Sequence, residues 1–186
     1  LDLEAVRSLA DLPQVVRSEP AHAQEHSLEV QLPFLQKVLG DFTLVPLAAG
    51  AATSEEVAQV LERLWGGPET LIVISTDMSH YHAYDEAKRI DGATLERILG
   101  LAADINHDEA CGATGLNGFL RLVATKNLSL RLLAACNSGD TAGGKTRVVG
   151  YSAFALYEEG KVPAEEAGRA LLEIAKGAIL NGLGMN

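Results

Sequence analysis

Apolar residues recur along this chain in two rhythms. A spacing of three and four marks a helix with one buried face, and a short continuous run marks a strand. Residues 4–10 carry the first rhythm and predict a short helix, followed by a loop around Pro13 and Pro20. Ser27 can cap a helix to about Leu39, with Leu28, Leu32, Leu35 and Leu39 on one stripe and Pro33 kinking it or delaying its start. Residues 42–47 predict a strand. Ser54 opens a helix to about Trp65, with Glu56 placed as in a capped first turn. Residues 70–76 are a β-branched run of the kind that forms a parallel strand covered on both faces. Further helices are predicted over 84–99 and 114–124. Strands are predicted over 128–135 and 147–157, separated by the turn-rich 137–145. The expected class is α/β, a mixed, mostly parallel central sheet flanked by helices. After Glu158-Glu159-Gly160-Lys161, an amphipathic helix is predicted over 164–180. The chain thus divides into an α/β domain over 1–158 and a linker with a helix over 159–186.

Composition changes this picture little. A length of 186 residues, 47% apolar, supports one ordinary core. The net charge of −10 excludes non-specific binding to nucleic acid or an anionic membrane, which needs clustered cations. The apolar stretches are too short to span a bilayer. Two irregularly spaced cysteines, Cys111 and Cys136, fit a reducing cytoplasm better than a disulfide scaffold.

Chemistry gathers at two places. The run Ile72-Val73-Ile74-Ser75-Thr76 ends in Asp77-Met78-Ser79-His80-Tyr81-His82, which puts an acid and two histidines at the end of an apolar strand. Open α/β sheets keep their ligand sites there. Upstream, Glu25, His26 and Glu29 open an apolar helix. His26 can serve as a ligand or merely cap a helix start. Asp77 and His80 can be a working acid–base pair or a loop ion pair, and His82 reads as a bystander. Cys111 before Gly112 reads as packing, while Cys136 at a strand end can be a ligand or simply buried. The glycines around Asp140 match no phosphate loop.

These residues carry a resemblance. Glu25-His26-Ser27-Leu28-Glu29-Val30-Gln31-Leu32-Pro33-Phe34 resembles the EHSxExxLPF signature of the Memo family, and Ser75-Thr76-Asp77-Met78-Ser79-His80-Tyr81 is similar to its S-[ST]-D-x-[ST]-H-[YW] motif. Cys111-Gly112, Asn137-Ser138-Gly139-Asp140 and Val149-Gly150-Tyr151 continue the match in order, over roughly residues 1–157. Glu165-Glu166-Ala167-Gly168-Arg169-Ala170-Leu171-Leu172 resembles the opening of an AMMECR-type domain. The resemblance implies a fold like that of the class III extradiol dioxygenases, with non-haem Fe(II), or copper, held by histidines and a carboxylate or cysteine. Carried over by position, His26 matches a metal ligand. His80 matches the acid–base histidine, and Asp77 its neighbouring acid. The third ligand falls at Cys136 or Asp140. The family's first ligand histidine, in a Pro-His-Ala-Gly motif, has no counterpart here, so the domain reads as one lacking its N-terminal strands. Two function classes stay open. One is a metal-dependent redox enzyme, in a system with AMMECR-type and radical SAM proteins. The other is a non-catalytic scaffold for a peptide or small-molecule ligand.

Overall fold

The computed structural model describes residues 1–141 and 143–158. The predicted helix over 164–180 lies outside them. Six helices are set by local signals: α1 Leu3–Ser8, α2 Glu19–His22, α3 Leu32–Leu39, α4 Ser54–Arg63, α5 Tyr84–Leu99 and α6 Ala113–Val123. Asp2 caps α1 by accepting the Ala5 N–H at 2.9 Å. Thr53 and Glu56 cap α4 reciprocally, so two N–H groups that no helical carbonyl can reach are satisfied at once. Pro33 sits in the first turn of α3, where its missing N–H costs nothing, and it delays the helix to Leu32. Among the described residues no helix is long and apolar enough to cross a membrane.

The sheet departs from expectation. It has three strands, β1 His80–His82, β2 Leu128–Asn137 and β3 Val148–Glu158, in the order β1-β3-β2. Both pairings are antiparallel, not mostly parallel. The physical reason lies in the connection: ten turn-forming residues between β2 and β3 are too few for the crossover that parallel neighbours need. The runs 42–47 and 70–76 form no strand among the described residues. A β-branched pattern specifies an extended backbone with an apolar face, and a ladder additionally requires a partner's N–H and C=O groups. Ile74 packs against the core, while Leu71 and Val73 are 60% and 44% exposed.

The main core lies between α5, α6 and the β2–β3 ribbon. It holds Met78, Ile98, Ile105, Leu116 and Leu120, flanked by Leu130 and Phe154. A smaller cluster of Leu9, Leu12 and Val60 joins the end of α1 to α4. The segment 77–82 runs along the first core and is tied to β3. Met78 donates its N–H to the Gly150 carbonyl, and Gly150 donates to that of Ser79, each at 2.9 Å. The chain that carries the candidate acid and histidines is thereby fixed to β3 at the edge of the main core.

Candidate functional site

Asp77 and His80 come together as their spacing suggests. The Asp77 carboxylate lies 3.5 Å from His80 Nε2, both side chains being partly exposed. The Nε2 atom itself is buried and has no hydrogen-bond partner among the described residues. An N–H···O bond runs to about 3.2 Å, so the carboxylate stands beside this nitrogen without bonding it. A buried, unbonded polar atom costs stability and therefore marks a position kept for something else. The backbone around it is constrained. Tyr81 adopts φ +64° where the β1–β3 register shifts, and the Arg147 guanidinium covers its ring at 4.7 Å. A non-glycine residue in this region costs about 1–3 kcal/mol and persists only where its surroundings hold it.

A third donor completes the cluster. The Cys111 thiol, at the entry to α6, lies with the Asp77 and His80 donors in a group whose atoms are all within 4.8 Å of one another. Its sulfur accepts the Asp77 N–H at 3.3 Å. Gly112 makes this approach achievable. Its N–H donates to Thr76 Oγ1 at 2.8 Å, and a Cβ there would lie 2.8 Å from Thr76 Cβ and 2.9 Å from the Ser75 carbonyl oxygen. Cys111 is thus exposed beside the site rather than packed, contrary to its reading from sequence. The Cys-Gly dipeptide was the available signal, because an invasive backbone contact needs a residue without a side chain.

Two further residues, missed in the sequence, hold this arrangement. Asp91 on α5 is 9% exposed, and its carboxylate accepts the Ser79 N–H at 3.0 Å. Gly150 leaves room for that carboxylate, which a Cβ would strike. Arg97 binds both Glu109 oxygens and the Asp104 carboxylate, which fixes the loop before Cys111. The Arg97 guanidinium holds the Glu109 carboxyl below its usual range, helped by the Asn106 N–H.

The other predicted site residues have local partners. His26 lies on the surface, its Nδ1 2.5 Å from Glu29, whose hydrogen bond raises the imidazole's pKa. Asp140 caps the turn after β2 by accepting the Asn137 N–H at 2.9 Å, and it accepts the Tyr84 hydroxyl. That hydroxyl and the Asn137 N–H hold its carboxyl low. Burial, with the nearby Asp140 charge, pushes the Cys136 thiol up. Cys136 and Asp140 line a cleft of about 220 Å³ together with Lys88, Asp91 and Tyr151. His82 pairs with Glu86 at 3.5 Å, outside the Asp77 cluster. Among the described residues, His26, Cys136 and Asp140 do not form a group of donors within 4.8 Å of one another.

The ordered motifs and this cluster can be set against known proteins. The family description "Memo-like protein" matches residues 1–155. The chain belongs to the Memo family. A MEMO1 family protein of Desulfurococcus amylolyticus is 30% identical over 171 residues, covering 84% of this chain and 60% of its own. One of Aeropyrum pernix is 34% identical, covering 82% of this chain and 59% of its own. One of Methanosarcina mazei is 36% identical, covering 73% of this chain and 56% of its own. This Memo chain therefore spans a little over half the length of these curated relatives.

Proposed function

We propose that this chain belongs to a metal-dependent redox enzyme of the Memo type, related to the extradiol dioxygenases, with Asp77 and His80 at its reactive end. The observation that carries the reading is the buried, unbonded His80 Nε2 facing the Asp77 carboxylate. In this reading His80 takes a proton at Nε2 from a small molecule and returns it, and the adjacent carboxylate stabilises the imidazolium. Asp91 and the β3 hydrogen bonds keep the segment from moving during that transfer. Family resemblance supplies Fe(II), with copper as the alternative, held by His26 with Cys136 or Asp140. Partnership with AMMECR-type and radical SAM proteins belongs to the same reading. The two free cysteines support a reducing, cytoplasmic setting.

The test is metal content by mass spectrometry after anaerobic Fe(II) reconstitution and desalting, on the chain and its His26→Ala variant, with oxygen uptake alongside. Retained iron with oxygen uptake that His80→Ala abolishes supports the enzyme. No retained iron and no uptake, with a peptide still bound, leaves a non-catalytic scaffold.

A further inference from the structure

From the same cluster we infer that this chain holds a borderline divalent cation of the zinc type on Asp77, His80 and Cys111. The inference rests on the metal-dependent Memo reading for the presence of an ion, and departs from it in placing that ion on these three side chains, which moves His80 from proton transfer to coordination.

Three observations converge. The first is donor chemistry: a carboxylate oxygen, an imidazole nitrogen and a thiol sulfur lie within 4.8 Å of one another. Zinc, cobalt(II) and iron(II) accept such a mixed set, whereas magnesium and calcium prefer oxygen alone. The second is distance. With zinc bonds of about 2.0–2.3 Å, tetrahedral geometry sets neighbouring donors roughly 3.3–3.6 Å apart. Asp77 and His80 already stand 3.5 Å apart, too long for a hydrogen bond and right for two atoms sharing an ion. Only Cys111 has to close in, by a side-chain rotation at an exposed position. The third is the buried His80 Nε2, whose lone pair no protein donor uses.

The scaffold supports the same conclusion. The three ligands come from the segment after 70–76, from β1 and from the entry to α6, which are fastened by the Gly112–Thr76, Met78–Gly150 and Ser79–Asp91 hydrogen bonds. Three protein donors leave one tetrahedral position for water or a small molecule, the pattern of a reactive site rather than a structural one. An ion at Nε2 takes up the lone pair of the neutral imidazole, whose N–H is then at Nδ1, so His80 becomes a ligand. The proton that leaves on binding is that of the Cys111 thiol, which coordinates as thiolate.

The experiment titrates the purified chain with cobalt(II) under anaerobic conditions and then displaces it with zinc. A thiolate-to-cobalt charge-transfer band reports a sulfur ligand independently of any activity. The expected result is a stoichiometric band that is lost in Cys111→Ser and His80→Ala and retained in Cys136→Ser and His26→Ala. Circular dichroism confirms that each variant folds. In the parent chain, zinc should also protect Cys111 but not Cys136 from alkylation, read by peptide mass mapping. A band lost in Cys136→Ser and His26→Ala but kept in Cys111→Ser overturns this assignment while leaving the Memo metal reading intact. No cobalt or zinc bound by the parent chain also overturns this assignment, while the Memo reading is decided separately by its iron content and oxygen uptake.

Discussion

The two halves of the described structure use similar apolar sequence to different ends. From residue 77 to 158, helices α5 and α6 close over an antiparallel ribbon, and Met78, Leu120, Val123 and Val148 are at most 2% exposed. From residue 1 to 76, the helices are at most ten residues long and no strand forms among the described residues. Large apolar side chains there stay open: Val16 is 75% exposed, Val38 58% and Leu71 60%. The difference teaches that the larger core needs paired backbone, and without it only the small Leu9–Leu12–Val60 cluster closes. Once β2 and β3 satisfy each other's hydrogen bonds, a face exists on which helices can close. The Asp77–His80–Cys111 cluster sits at the seam, with its backbone tied to the ordered half.

The contrast is sharpest in core truncation. Leu120→Ala should cost roughly 2–5 kcal/mol, the range for emptying a closed core site. Leu71→Ala should stay within about 0.5 kcal/mol, because little contact is removed. Paired urea unfolding curves measure both, and equal effects would erase the comparison. Next in size is Asp91→Ala, which strands the buried Ser79 N–H and should cost about 1–3 kcal/mol. Asp91→Asn keeps an oxygen for that N–H and should recover most of the loss.

Arg97→Ala tests the loop that delivers Cys111 and should destabilise it, because the Glu109 and Asp104 carboxylates lose their shared donor. Its pH dependence has a fixed sign. The Glu109 pKa is lowered on folding, so the stabilisation is present above the ordinary glutamate range and is lost as pH falls through the folded value. Chemical denaturation at neutral and at acidic pH should show the gap between parent and Arg97→Ala shrinking under acid.

The smallest effect belongs to the open half. Glu29 raises the His26 pKa, so the pair's contribution is full below the ordinary histidine range and fades as pH rises through the folded value. NMR titration should place His26 above the ordinary histidine pKa of 6.5, and Glu29→Gln should bring it back. An unchanged midpoint in that variant would mean that the contact does not persist in solution.

Much of this was legible in the chain. The helix over 84–99 and the helix opened at Ser54 follow from local hydrogen-bond supply, although its cap is Thr53, and the Asp77–His80 contact follows from a three-residue spacing beyond an apolar run. Cys111 was not legible, because its partners stand 31 and 34 residues away. Asp91 reads as one more polar position on a helix until Ser79 is found above it.

The sequence by itself determined the longer helices, α4, α5 and α6, to within a few residues, the β2 and β3 runs, and the Memo motifs, but not the short helix Glu19–His22. These depend on interactions within a few residues, which local chemistry decides. Only the tertiary structure decided that the sheet is antiparallel, that 70–76 forms no ladder among the described residues, and that a cysteine joins the acid and histidine. Each of these depends on which distant backbone supplies a hydrogen bond or leaves room beside a glycine, and no local pattern encodes that choice.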